Sequence, residues 1–239
     1  MSEELDRIAE QYLAPDATFS VDERLMGILA RRAVPGLRGP RVLEMGVGAG
    51  TWSELVIRRF GASHVVDAAD SLLRAAARRA GPRLTTHHSL FEDFEPDRPF
   101  DTVLASMVLE HVEHPVALLR RAAGWLAPGG RLVVIVPNAR SLHRRYGVCL
   151  GLLQRETSLS ESDRRIGHRR VYTPATLELH VRRAGLRVLA RRPTFIKLLS
   201  NAQMSDFTEQ QLEGLFDLAR QVPLDQGASL FFECARRRG

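Results

Sequence analysis

The chain has 239 residues, 44% hydrophobic and 26% charged, with a formal net charge of +6. That suits one α/β domain with a sizeable core, residues 1–239, in an ordinary soluble globular protein. No apolar run approaches the ~20 residues of a membrane span, and the polar, acidic start Met1-Ser2-Glu3-Glu4 is not a secretory signal. Cys149 and Cys234 stand far apart, which excludes a metal-binding spacing and a disulfide framework, so a reduced, cytoplasmic protein is expected. Lys197 is the only lysine. Eight arginines between Asn138 and Thr173, against Glu156, Glu161 and Asp163, leave that stretch at +5, nearly the whole excess of the chain.

In chain order, residues 1–33 read as two helical pieces broken near Pro15, a helical cap on the domain. Residues 41–45 are an apolar first strand that carries Glu44, followed by Gly46-Val47-Gly48-Ala49-Gly50 and a helix over 51–60. A second strand over 64–68 has Asp67 near its end, and an alanine-rich helix over 71–79 stops at Gly81-Pro82. Short strands follow over 84–88 and 100–106, then a helix over 115–126 closed by Pro128-Gly129-Gly130. Residues 131–136 form a fifth strand, apolar enough for burial on both faces. The arginine-rich segment 138–173 reads as a cap inserted in the same domain. Thr173-Pro174 starts a helix to 184, with Thr173 as N-cap and proline at the first helical position. Strand 186–190, helix 205–220 and strand 229–235 complete the chain.

Strands alternating with helices predict a mostly parallel sheet with helices on both faces. Ligands in such sheets bind beyond the C-terminal strand ends, where Gly46–Gly50, Asp67 and Ser106 fall. The glycine spacing narrows the ligand. A dinucleotide turn needs G-x-G-x-x-G, whereas Gly50 comes one residue early and no glycine follows until Gly61. No Gly-Lys-Ser/Thr occurs, so a P-loop is excluded.

Glu44 followed by Gly46, Gly48 and Gly50 resembles the first motif of class I S-adenosylmethionine-dependent methyltransferases, and the likeness is strongest over residues 40–136. The resemblance implies a Rossmann-like seven-stranded, mostly parallel sheet with an antiparallel last strand. It implies S-adenosylmethionine as cofactor and S-adenosylhomocysteine as product. The glycine turn would pass under the methionine part and ribose, with Glu44 ordering the loop or meeting the ammonium. Asp67 would accept the ribose hydroxyls, with Asp70 as rival, and Leu90 and Phe91 would cover the adenine. Ser106 to Val112 is similar to the motif beside the reactive methyl, and Leu109-Glu110-His111 is common in quinone-type O-methyltransferases.

His111 can take a proton from a hydroxyl, because imidazole titrates near neutrality, or it can simply order the loop. Relatives with E-x-x-E-H here bind a divalent metal; Met107 replaces the first acid, so no metal is expected. In the cap, His143, Arg144, His168, Arg169, Arg170 and Tyr172 suggest a lid over an anionic or polyhydroxylated small molecule, with His168 a second candidate base. The alternative for each arginine is a solvated, ion-paired helical face. Tyr12 would close the other side of the substrate site. The substrate expected is a metabolite of natural-product type, methylated on oxygen or nitrogen. The charge also suits an RNA or protein substrate, but Tyr146 and Tyr172 are the only aromatics among these arginines, which disfavours nucleic acid. A non-catalytic cofactor-binding subunit and a homodimer stay open.

Overall fold

The computed structural model describes residues 17–237. Tyr12 and the first expected helical piece lie outside the described residues. The strands are β1 (Val42–Met45), β2 (Ser63–Asp67), β3 (Leu84–His88), β4 (Phe100–Ser106), β5 (Leu126–Pro137), β6 (Leu186–Pro193) and β7 (Ser229–Arg236). The α-helices among the described residues are α1 (Ala17–Ala33), α2 (Thr51–Phe60), α3 (Asp70–Ala80), α4 (Pro115–Gly124), α5 (Leu142–Cys149), α6 (Glu161–Arg165), α7 (Pro174–Arg183) and α8 (Glu209–Ala219). The strands form one seven-stranded sheet in the order β3-β2-β1-β4-β5-β7-β6. β1 pairs parallel with both β2 and β4, and β2 with β3, while β6 and β7 run antiparallel. The order reverses between β1 and β4, the place where such sheets open a ligand crevice.

The chain divides into two compact units, Met1–Ser106 with Arg121–Leu132, and Met107–Arg120 with Val133–Gly239. In the first, every residue of β1 is buried, as expected of a strand covered on both faces. Leu43 sits opposite His64 and Val103, and Met45 opposite Val66 and Ala105. Val47, Ile57, Val65, Leu72, Leu73 and Leu84 form one apolar cluster that seats α2 and α3 on this part of the sheet. Gly61 ends α2 at φ +87°, its N–H donating to the Ile57 carbonyl at 2.8 Å.

The expected helix over 115–126 stops at Gly124. The Phe100 N–H already donates to the Trp125 carbonyl at 2.8 Å, so the chain is in the sheet before the glycines arrive. Pro128-Gly129-Gly130 is therefore a turn inside β5, with Gly129 at φ +78°. A Cβ on Gly130 would lie 3.0 Å from the carbonyl oxygens of Ala127 and Phe100, so a side chain there would force that backbone to give by a few tenths of an ångström.

In the second unit the segment 138–173 folds into α5 and α6 and returns through a parallel bridge between Asn138 and Tyr172. Ser160 and Asp163 cap α6 reciprocally, and Thr173 caps α7 with proline at the first turn, as its sequence predicts. α8 begins four residues later than expected because Thr208 and Gln211 form a capping box there. β6 runs on to Pro193 with a bulge between Val188 and Ala190. Among the described residues no helix is long and apolar enough to cross a membrane.

Phe100 is fully buried, with the His64 ring edge-on at 5.3 Å and the Arg41 guanidinium 4.6 Å from its ring centre. Phe100→Ala is expected to lower stability by ~3–5 kcal/mol through the cavity it leaves, read as a lower denaturant midpoint at constant slope. An unchanged midpoint would remove Phe100 from the core.

Candidate functional site

The sheet pairing of β1 continues one residue past the strand, where the Gly46 N–H donates to the Val66 carbonyl at 2.9 Å. The chain then turns through Gly46, Gly48 and Gly50 at φ +76°, +48° and +76°. Three left-handed residues in five are open to glycine at little cost and to β-branched residues hardly at all, which explains the composition of the turn. The Gly50 N–H closes the turn onto the Val47 carbonyl at 2.8 Å, and α2 starts at the next residue.

Asp67, at the end of β2, holds this turn in place. One of its oxygens accepts the Val47 N–H and the other the Ala69 N–H, both at 2.8 Å. Burial raises its pKa, opposed by those N–H bonds. Its rival Asp70 lies on α3, exposed and ion-paired with Arg74 one helical turn away. Of the two acids, only Asp67 is built into the turn. Glu44 is buried in β1 and accepts a hydrogen bond from the Ser53 hydroxyl in the first turn of α2. Burial pushes its pKa up to about 8, with the Ser53 bond opposing and the Asp67 charge adding. Glu44 thus ties β1 to the first turn of α2.

After β3 the Ser89 N–H donates to the Asp67 carbonyl at 3.1 Å, and the N–H groups of Asp93 and Phe94 converge on the Leu90 carbonyl. Phe94 is the core aromatic of this turn, edge-on to Trp125 at 5.2 Å. Leu90 and Phe91 are only half-buried, as is Ser106 at the end of β4, so each keeps surface free for a ligand.

A second polar cluster belongs to the second unit. Met107, at φ +55°, is the only non-glycine with positive φ among the described residues, a strain that sequence reading does not reveal. Three residues on, Glu110 is fully buried and neither carboxyl oxygen has a hydrogen-bond partner. Burial pushes its pKa up to about 7, against the influence of His168 and Arg170. His111 and His168 meet edge-on with ring centres 4.8 Å apart, and ligating atoms of Glu110, His111 and His168 all lie within 4.8 Å of one another. Burial, with His168 adding, lowers the pKa of His111 to about 4, so the ring is neutral near pH 7.

Three arginines of the cap turn inward, Arg144, Arg145 and Arg170, whereas Arg140, Arg155, Arg164, Arg165 and Arg169 are exposed. Arg170 donates to the carbonyls of Leu109, Val112 and Glu113, and the Arg169 N–H donates to the Glu110 carbonyl at 2.8 Å. Arg144 is buried and donates to the Glu156 and Ser158 carbonyls and, at 3.0 Å, to Asp163. Asp163 in turn binds the His168 Nδ1 at 3.1 Å. Its own burial works against ionisation, yet His168, Ser160 and Arg144 together hold the carboxyl well below the usual range. Tyr172 is buried with its hydroxyl 3.4 Å from the Leu109 carbonyl, and burial raises its pKa. His143 is neutral, lowered to about 3 by burial, and its Nδ1 has no partner. Of the expected substrate set, Arg144, Arg170 and Tyr172 thus brace the cap and the loop after β4, whereas the Arg169 side chain is exposed. Asp163 and Glu110 were not singled out as site residues from sequence. The capping pattern Ser160-x-x-Asp163 was visible, but nothing in it points 50 residues back to Glu110.

The raised pKa of Glu44 has a definite sign in stability. The folded state holds the proton more tightly than the unfolded chain, so this contribution is complete below pH 4.5 and lost as pH rises towards 8. Glu44→Gln should therefore flatten the fall in melting temperature between those values, and an identical slope in both proteins would place the effect elsewhere.

A family model described as a methyltransferase domain matches residues 18–191. Ubiquinone biosynthesis O-methyltransferase of Xanthomonas euvesicatoria pv. vesicatoria is 35% identical over 107 residues, covering 43% of this chain and 45% of that protein. Trans-aconitate 2-methyltransferase of Methylobacterium nodulans is 34% identical over 113 residues, 46% of this chain and 43% of that protein. The match thus spans less than half the length of these curated relatives. Among solved structures, the CcbJ methyltransferase of Streptomyces caelestis superposes with a TM-score of 0.64 at 17% identity, over 98% of both chains. N-methyltransferase NodS of Bradyrhizobium japonicum, solved with S-adenosyl-l-homocysteine, gives 0.59 at 16% identity, covering 96% and 97% of the two chains. The left-handed glycine turn, the strand order and the family match agree: the chain belongs to the methyltransferase-domain family.

Proposed function

We propose that this protein binds S-adenosylmethionine at the β1 turn and moves its methyl group to an oxygen or nitrogen of a small anionic or polyhydroxylated molecule. The observation that carries this is the turn itself: three left-handed glycines whose path is held by Asp67. The residues present fit the cofactor. The glycines leave the backbone bare where side chains would obstruct a ligand. Each Asp67 oxygen keeps a lone pair for a ribose hydroxyl beyond the N–H it accepts. Leu90 and Phe91 offer half-exposed apolar surface for the adenine, and Ser106 a hydroxyl at the end of β4. When bound, the cofactor presents a methyl group on a cationic sulfur, so the acceptor lone pair forms the new bond as the sulfur–carbon bond breaks and its electrons return to sulfur.

The protein's part is to align, exclude water and manage one proton. A carboxylate acceptor has no proton to lose, and a hydroxyl acceptor needs one removed. Glu110, His111 and His168 are the groups to engage such a hydroxyl, and exposed Arg169 suits an anionic part of the acceptor. The named activities of the curated relatives, on a quinone precursor pathway and on trans-aconitate, support the small-molecule reading. The internal use of Arg144 and Arg170 takes two of the eight cap arginines away from a polyanion, while Arg140, Arg155, Arg164, Arg165 and Arg169 stay exposed, so RNA has to be tested as an acceptor.

Asp67→Ala is expected to weaken S-adenosylhomocysteine binding at least tenfold by calorimetry, about 1.4 kcal/mol. Unchanged affinity would transfer the ribose role to Asp70. Gly48→Val should abolish binding, since a β-branched residue does not adopt φ +48°; a fully active variant would sink the cofactor assignment. Transfer of a labelled methyl group to small hydroxylated or carboxylate acceptors, with none to RNA, is the outcome expected of the wild-type protein. The reverse preference would overturn the substrate class.

A further inference from the structure

We infer that Arg79 is a positioning residue for the cofactor turn: from the last turn of α3 it holds the Ala49 carbonyl and so sets the path of the backbone that S-adenosylmethionine meets. The inference rests on the proposed binding of S-adenosylmethionine at that turn and adds to it a residue outside every motif. Basic residues in the last turn of a helix ordinarily answer that helix's own carbonyls. Arg79 instead donates at 3.1 Å to a carbonyl 30 residues earlier in the chain, in the middle of the glycine turn.

The turn has few side chains of its own to hold it. Gly46, Gly48 and Gly50 bring none, and Ala49 only a methyl group. On the strand side, Asp67 accepts the Val47 N–H at 2.8 Å. On the other side the turn lies against α3. Val47 packs in one cluster with Leu72, Leu73 and Ala76, and a Cβ on Gly50 would touch the Ala76 Cβ at 3.5 Å. Leu72, Ala76 and Arg79 follow one another at spacings of four and three residues, so they line one face of the helix. The face that seats the turn therefore ends in the guanidinium that reaches Ala49.

The contact fixes one peptide plane. The Gly50 N–H donates to the Val47 carbonyl at 2.8 Å, and the Ala49 carbonyl of the same peptide accepts from Arg79 at 3.1 Å. A planar peptide anchored at both polar groups cannot rotate without breaking both bonds. Gly50, at φ +76°, has no Cβ to resist such a rotation, so the anchor matters most at this peptide. Arg79 is itself steadied by Glu54 in the first turn of α2, whose carboxylate meets its other terminal nitrogen at 3.1 Å. The planar fork of arginine spans carbonyl and carboxylate at once, which the point charge of a lysine does less well. Because the Arg79 side chain is 52% exposed, the clasp tunes the turn and does not carry the fold.

The test compares the full wild-type chain with Arg79→Ala, Arg79→Lys and the control Arg78→Ala, which removes the same charge from the neighbouring exposed position. Arg79→Ala should weaken S-adenosylhomocysteine binding about five- to tenfold by calorimetry. Arg79→Lys should recover part of that loss, and Arg78→Ala should bind as wild type does. Amide hydrogen exchange, followed by NMR on the ligand-free proteins, should quicken at Gly50 in Arg79→Ala while the amides of β1 and the melting temperature stay unchanged. Glu54→Gln should weaken binding in the wild-type background and have no further effect in Arg79→Ala. Unchanged affinity in Arg79→Ala, an equal loss in Arg78→Ala, or a loss that comes with a general fall in melting temperature would overturn the positioning role. If the wild-type protein binds no S-adenosylhomocysteine while Arg79→Ala still quickens exchange at Gly50, the cofactor reading falls and the clasp on the turn stands.

Discussion

The carboxylate of Asp67 is the constraint on which the first unit depends. By accepting N–H groups from Val47 and Ala69 it joins the turn after β1 to the turn after β2. Without it, a five-residue segment with three glycines would lose much conformational entropy on ordering, since glycine loses more than any other residue type. The backbone contributes the rest through the Gly46 N–H on Val66 and the Ser89 N–H on the Asp67 carbonyl, so three strand ends share one hydrogen-bonded seam. Glu44 fastens the seam from below by reaching Ser53 in α2. Two acids in one small region are tolerable because one is partly satisfied by N–H groups and the other retains its proton up to about pH 8.

The second unit solves a different problem with the opposite charge. Its arginine-rich segment is held in good part by guanidinium groups on backbone carbonyls. Arg144 gathers the loop between α5 and α6, and Arg170 gathers the loop after β4. Arginine suits this because its planar fork satisfies several carbonyls at once. A buried charge of this kind stabilises only while its partners remain, so Arg144, Asp163 and His168 behave as one network and not as separable contacts. The order they impose leaves Glu110, His111 and His168 together, with neither carboxyl oxygen of Glu110 hydrogen-bonded.

How much was legible in the sequence follows from the range of the interactions. The glycine turn could be read because positive φ leaves its mark on the residue itself, and Asp67 because a strand-end acid has a regular distance from that turn. Asp67 and Asp70 were rivals in the sequence, and the structure separates their surroundings: Asp67 accepts paired N–H groups of the turns, and Asp70 is ion-paired with Arg74. The helix that ran too far, to residue 126, erred because Trp125 was assigned by local propensity while its carbonyl answers to Phe100, 25 residues earlier. Arg144 and Arg170 looked like ligand-facing donors because sequence gives charge and not direction.

The sequence by itself determined the alternation of strands and helices, the glycine turn at the end of β1 and the family, since each rests on local periodicity or on glycine spacing within a few residues. Only the tertiary structure decided which arginines are internal braces, that Met107 is left-handed and that His168 joins Glu110 and His111. These last depend on contacts between residues about 60 positions apart, closed by Arg169 and Arg170 on the loop after β4, and no local pattern encodes them.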